Sequence, residues 1–462
     1  MSEIEQTGAI VESGPADWQI VQRDGRGLGQ FALAGRWVSP TPGKVEVRLA
    51  DEATSAPLTP QLDWHAVETR PDGTWGAVLA DIPAGGLYRL ETRFHTEDNP
   101  AAEWSVRGDM RHHVGVGEVW VIAGQSNSAG YGRGSVLDPP ELGLHVLRNS
   151  EQWALATHPL NDSTDTRHPV NREGGNSAHA PHLHFARLLK QALGCPVGLV
   201  QTALGGSPLG QWNPGEGDAA LFHNMVHCVR LAGGKARGVV WYQGESDASP
   251  ELGATYAERF VHAVRCWRQA LDLPDLAVVT VQLNRVTTPA TPEGDLGWSL
   301  VREAQRRVPR LERGIAVVPA VDLPLSDQIH TSPAGNLILG ERMARAALQT
   351  VYGVPQTWRA PEIRRAWRAG DGVAVVLEFD HVQDRLEALD LTTHGFRVES
   401  EGAVVPIGAV RYPGGNVVRL LLEGPLAGPA AVHAAWGVNP PPVPVDVQRQ
   451  MPILAFHGVP IE

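Results

Sequence analysis

Early in the chain, apolar and polar residues alternate with period two, as in Val45/Val47/Leu49 and Tyr88/Leu90/Thr92/Phe94. Such alternation marks strands buried on one face. Pro71-Asp72-Gly73 and Pro83-Ala84-Gly85-Gly86 supply turn residues between them. Residues 17–113 are therefore expected to form an N-terminal β-sandwich domain, preceded by a flexible N-terminus over residues 1–16. From about Val114 the alternation gives way to mainly apolar runs at 119–123, 197–200, 238–242, 276–283 and 315–318. Helix-like stretches at 183–193, 219–231, 256–271, 299–308 and 333–348 lie between them. Strands apolar on both faces and joined by helices make an open parallel sheet, so residues 114–355 are expected to be a three-layer α/β domain. After Pro355 the helical period disappears. Runs such as Val373–Phe379 and Val417–Leu422 predict a C-terminal β domain over 356–462.

At 462 residues the chain exceeds one ordinary core, in keeping with several domains. The net charge of −12 is spread without a basic block, which argues against nucleic acid or an anionic membrane as partner. Met1-Ser2-Glu3-Ile4-Glu5 has neither a basic nor an apolar leader region, and no run approaches the ~18 apolar residues of a membrane span. The expected setting is cytoplasmic, although a secreted enzyme whose leader had been removed would read the same. Cys195, Cys228 and Cys266 are odd in number and form no C-x-x-C pair, so buried free thiols are expected.

In open α/β sheets the reactive groups lie at the carboxyl ends of the strands. Ser126, Gly205-Gly206 and Gln243-Gly244-Glu245 each follow an apolar run within a few residues. Ser126 is the candidate nucleophile. It does not sit in a G-x-S-x-G elbow, because the residues are Gly124-Gln125-Ser126-Asn127-Ser128, and this disfavours the common α/β-hydrolase fold. Asp327 and His330 are three residues apart, a spacing at which a carboxylate can fix the imidazole tautomer that takes a proton from serine. Glu245 is a second candidate for that orienting role. His179, His182 and His184 form a His-x-x-His-x-His run after Gly174-Gly175-Asn176, yet no Cys, Asp or Glu completes a ligand set beside it. These histidines are expected at a helix entry lining the pocket, and no metal is assigned. Trp212 either stacks on a sugar face near the site or packs within its loop.

Four ordered blocks resemble those of the SGNH hydrolases: Gly124-Gln125-Ser126-Asn127, Ala203-Leu204-Gly205-Gly206-Ser207, Trp241-Tyr242-Gln243-Gly244-Glu245-Ser246-Asp247 and Asp327-Gln328-Ile329-His330. The nearest likeness is to the sialate O-acetylesterase and acetylxylan esterase group. Two positions depart from the wider pattern: Gln243 stands where the superfamily carries Asn, and Ser128 where this group usually has Met.

The resemblance implies a flavodoxin-like domain with a five-stranded parallel sheet, no cofactor or metal, and hydrolysis of acetyl esters on sugars through an acetyl-enzyme. It implies a Ser126–His330–Asp327 triad, and an oxyanion hole from the backbone N–H of Ser126, an N–H in the Gly205-Gly206 turn and the Gln243 side-chain amide. Gln125, Asn127, Glu245 and Trp212 would surround the substrate or support those groups. The expected partner is an acetylated carbohydrate, and a homo-oligomer stays open. Two other readings stand beside this one: a weakly catalytic or non-catalytic carbohydrate-binding protein, and a short-chain lipid esterase or thioesterase of the same superfamily.

Overall fold

The computed structural model describes residues 7–97, 106–175, 177–370, 372–388, 390 and 392–462. Asn176 and residues 1–6 lie outside the described residues.

The five expected central strands form, and a sixth joins them. The parallel order is Leu144–Leu147, Val197–Gln201, Val106–Gly124, Gly238–Tyr242, Ala277–Gln282 and Ile315–Pro319, with Trp153–Leu155 antiparallel at one edge. The sheet therefore has six parallel strands rather than five. The extra strand, Leu-His-Val-Leu, is short and interrupted by His145, so its apolar run escapes notice in the sequence. His145 is fully buried, its Nδ1 lies 2.6 Å from the Trp18 carbonyl, and burial pushes its pKa down to about 4.

Helices cover both faces of this sheet. Within Val106–Gly124, Trp120 meets Phe185 of α2 (His182–Leu193) edge-on and donates to the Tyr352 hydroxyl of α6 (Pro333–Tyr352). On the neighbouring strand Trp120 is opposite Gly238 and Ala123 opposite Trp241, so the pleat turns the two indoles to opposite faces. Trp241 stacks on Phe260 of α4 (Pro250–Leu271), which packs against α3 (Ala220–Leu231) and α5 (Pro292–Leu311). Three of these helices start alike. Ser249, Thr291 and Ser332 each accept a backbone N–H as N-cap, and each is followed by proline, whose missing N–H is no loss at a first helical position.

Residues 7–97 form strands that continue into the central sheet. Val106–Gly124 is one unbroken strand; its first half pairs with Gly85–Thr96 and Ile20–Gln22, and its second half lies at the middle of the parallel sheet. The sequence boundary between 113 and 114 thus falls inside a strand. A second sheet, with strands Gly8–Ser13, Leu28–Val38, Thr74–Pro83 and Glu68–Thr69, encloses a buried cluster with the first, including Phe31, Trp75, Val47, Leu90 and Phe94. Gly8–Ser13 corrects the expectation of a flexible stretch through residue 16: Ala9 and Val11 point into this cluster, and that burial fixes the strand. Beyond Pro355, four-stranded sheets built on Ala374–Asp380 and on Phe396–Ser400 enclose another cluster, including Leu377, Phe379, Val398, Leu420 and Phe456. Among the described residues, no helix is long and apolar enough to cross a membrane. The three cysteines are free; Cys195 and Cys228 are buried and Cys266 partly so.

Candidate active site

Gly124 ends its strand at φ +120°, and a Cβ there would lie 2.3 Å from the Tyr242 carbonyl oxygen. Only glycine lets the chain turn so close to the neighbouring strand. Gln125 then donates its N–H to that same carbonyl, and Ser126–Ala129 make the single turn α1, closed by Gly130 in the left-handed region. Ser126 is thereby placed at the carboxyl end of the sheet, with 8% of its surface exposed.

Residues on either side of Ser126 tie it to the other expected loops. Gln125 Oε1 accepts the N–H groups of Gly244 (3.4 Å) and Ser246 (3.1 Å). Asn127 donates to Glu245 Oε1 (2.8 Å) and to the Ile329 carbonyl (3.4 Å), while its Oδ1 accepts the Thr331 N–H (2.9 Å). Asn127 is therefore bonded to the residues before and after His330, which sets the Ser126 and His330 segments side by side.

Asp327 organises its own turn. Its Oδ1 accepts the N–H groups of Ile329 (2.9 Å) and His330 (2.8 Å), and its Oδ2 lies 2.7 Å from His330 Nδ1. Partial burial opposes ionisation of this carboxyl. The Ile329 N–H, the His330 imidazole and the His330 N–H outweigh it and hold the pKa below the usual carboxylate range. With Nδ1 facing a carboxylate, Nε2 is the basic nitrogen of His330. Glu245 instead bonds to Asn127; its Oε2 is enclosed without a partner among the described residues, and burial pushes its pKa up to about 7.

One expectation at this site is corrected, and the choice left open for Trp212 is decided. Gln243 is fully buried, and its side-chain amide donates to Asp247 Oδ2 (2.6 Å) and the Ser207 carbonyl (3.2 Å) while its Oε1 accepts from the Tyr256 hydroxyl. Both amide hydrogens are used, so the group is not free to serve an oxyanion. Trp212 is also fully buried; it donates to Ser207 Oγ and meets Trp241 edge-on. It belongs to the core beneath α4 rather than to a sugar platform.

Within the Gly205-Gly206 turn, the Gly205 N–H is taken by Glu173 Oε1 at 2.8 Å. Gly206 is exposed, at φ +69°. Among the described residues, the N–H groups of Ser126 and Gly206 have no partner.

The histidine run also separates. His182 is enclosed beside Ser128, and burial pushes its pKa down to about 3. His179 meets Asp138 and stacks on His158, and His184 lies beside Arg187. The expectation that the three line a pocket together fails because the first turn of α2 sends one inward.

Sequence reasoning missed Tyr131, Glu173 and Asp247. Tyr131 stacks on the His330 ring, with centroids 5.0 Å apart, and donates to Glu173 Oε2. Glu173 therefore joins the support of the imidazole to the Gly205 turn. Asp247 anchors Gln243, the Leu209 N–H and Arg259. Glu173 gives no sequence signal because its partners are 12 to 42 positions away. Asp247 closes a block the resemblance had already marked.

The family model for carbohydrate esterases described as sialic acid-specific acetylesterase matches residues 116–349. A probable carbohydrate esterase from Arabidopsis thaliana is 30% identical over 256 residues, covering 50% of this chain and 90% of that protein. A carbohydrate acetylesterase from Xanthomonas citri, with a solved structure, superposes with a TM-score of 0.66 at 22% identity, covering 96% of this chain and 98% of its own. The match spans the strands and loops that carry Ser126, Gly205, Gln243 and His330, and on it this chain belongs to the sialic acid-specific acetylesterase family of carbohydrate esterases.

Proposed function

We propose that the chain is a metal-independent carbohydrate O-acetylesterase that works through Ser126, His330 and Asp327. The observation carrying this reading is the 2.7 Å contact between His330 Nδ1 and Asp327 Oδ2, in a turn bonded on both sides of the imidazole to Asn127, the residue after Ser126. Ser126 Oγ attacks the acetyl carbonyl carbon as His330 Nε2 accepts its proton. The tetrahedral oxyanion faces the N–H groups of Ser126 and Gly206, and its collapse breaks the bond to the sugar oxygen, which leaves as a hydroxyl by taking the proton from His330. Water then attacks the acetyl-enzyme by the same route, releasing acetate and restoring Ser126. Asp327, ionised throughout, stabilises the imidazolium.

Turnover of 4-nitrophenyl acetate tests the assignment. Ser126→Ala is expected to abolish it while the circular dichroism spectrum stays unchanged, and a variant rate near wild type would refute the nucleophile. Acyl-chain length separates an acetylesterase from a lipid esterase or thioesterase, since a pocket sized for acetyl rejects esters longer than about butyrate. Acetate release from acetylated xylan fragments, glucose pentaacetate and O-acetyl sialic acid identifies the sugar.

A further inference from the structure

Glu151, His168 and His227 take no part in that chemistry and come from three separate segments. Glu151 lies in the turn after Leu144–Leu147, His168 caps the short turn Pro169–Asn171, and His227 stands on α3. All three are partly open to solvent. His168 Nε2 contacts Glu151 Oε1, and His227 Nε2 lies 3.1 Å from the same oxygen. The two rings meet edge to face with centroids 4.7 Å apart, and the three donor atoms lie within 4.8 Å of one another.

Two imidazole nitrogens here compete for a single carboxylate oxygen. A divalent cation satisfies all three at once, because nitrogen and oxygen donors about 2.0–2.2 Å from a tetrahedral ion stand roughly 3.4 Å apart. The His227 contact is already close to that spacing, and the His168 side chain must draw back from Glu151 to reach it.

The backbone holds the ligands in place. Glu151 sits at φ +61°, where a glycine or asparagine would be relaxed, in a turn closed by the Arg148 N–H to Gln152 and the Glu151 N–H to Arg148. The Arg167 N–H bonds to the Asn149 carbonyl, fastening the His168 segment to that turn. Among the described residues, no lysine or arginine pairs with Glu151.

Asp138, His158 and His179 also gather three donor groups, but that cluster is closed. The Arg187 guanidinium occupies Asp138 Oδ1. The Ala180 N–H faces His158 Nδ1, and the Asn336 amide faces His179 Nδ1, which leaves the proton of each ring on the Nε2 that points at Asp138 Oδ2. The guanidinium balances the Asp138 charge there without an ion.

We propose that Glu151, His168 and His227 bind one divalent cation of the zinc class, with the fourth position open to water. The ion is structural and independent of the esterase reading. It clasps the turn carrying Asn149, whose side chain bonds to Asn161, which in turn bonds to Glu173.

Untagged full-length protein, stripped with chelator and dialysed against zinc chloride, is expected to retain one zinc per chain and unfold at a higher temperature. Cobalt(II) in its place is expected to give visible d–d absorption. Glu151→Gln, His168→Ala and His227→Ala each should weaken zinc binding by more than about a hundredfold, beyond what loss of an outer-shell partner costs. All three should keep the wild-type circular dichroism spectrum and hydrolyse ester without metal, while His158→Ala keeps the zinc. The proposal is overturned if wild type retains no zinc, if the three variants bind like wild type, or if His158→Ala is the substitution that releases the ion.

Discussion

Asp327 and Glu245 are both carboxylates near the Ser126 and His330 segments, and their surroundings set them apart. Asp327 receives two backbone N–H groups and the imidazole, so it stays ionised, whereas Glu245 is enclosed with one oxygen unpartnered and burial holds its pKa up at about 7. Asp327→Asn, which spoils the tautomer at His330, is expected to lower kcat on 4-nitrophenyl acetate by about 10³–10⁴. Glu245→Gln should cost far less; the reverse ranking would make Glu245 the orienter. Glu245 also carries a stability prediction. Its carboxyl is raised from 4.5 to about 7 in the fold, so its stabilising contribution is complete below the unfolded value and is lost as pH rises through about 7. Glu245→Gln removes that loss, so the variant should gain on wild type by up to about 3 kcal/mol between mildly acidic and mildly alkaline pH in urea unfolding. A constant difference across that range would show the carboxyl to be ordinary. Such roles could not be read from residue type alone. Gln243 and Trp212 carry polar and aromatic groups suited to a site, but Asp247, Ser207 and Trp241 absorb them in the fold.

Elements were legible wherever a local pattern sufficed. The runs 197–200 and 238–242 are continuously apolar with every residue buried, and strands form there as expected. Leu144–Leu147 is buried as completely, yet His145 breaks its run, and only the Trp18 carbonyl, 127 positions away, makes that histidine tolerable. The starts of α4 and α5 were placed late because their first turns are polar, although Ser249-Pro250 and Thr291-Pro292 mark them by cap chemistry. The turn that presents Ser126 depends on Gly124 in a comparable way. A methyl there meets the Tyr242 carbonyl and must also adopt φ +120°, so Gly124→Ala is expected to destabilise the chain by at least about 3 kcal/mol. Gly205→Ala is a useful contrast, because its added methyl meets the ends of the Glu173 and Tyr131 side chains at 2.9 and 3.0 Å rather than backbone. That variant should fold normally and show its loss in kcat, since it disturbs the residue stacked on His330. Chemical denaturation and steady-state kinetics on the pair distinguish the two effects, and a fully active, fully stable Gly124→Ala would refute the first.

At the scale of the molecule, the residues after Pro355 are bound to the central sheet through buried polar groups rather than resting on it. Gln282, the last residue of its strand, exchanges hydrogen bonds with the N–H and C=O of Ala455. Arg302, fully buried on α5, donates to the carbonyls of Leu283 and Asn284 on one side and of Ala435 and Gly437 on the other. Asp295 and Ser299, on the same helix, hold the N–H groups of Val438 and Gly437, and Val438 itself lies in the central core cluster. Among the described residues no carboxylate pairs with Arg302, so its charge rests on carbonyl dipoles, and burial pushes its pKa down to about 9. Replacing it with methionine keeps most of the volume but leaves four buried carbonyls without their donor. At about 1–3 kcal/mol for each group left unsatisfied, partial relaxation still implies a loss of at least about 3 kcal/mol. Because those carbonyls lie on both sides of the contact, the loss should move the whole unfolding transition. Fluorescence, circular dichroism and esterase activity should therefore fall together in urea, for wild type and for Arg302→Met alike, with the variant's midpoint lower. A variant that loses part of its signal in an early step while keeping full activity would show instead that residues 356–462 fold and release as an autonomous unit.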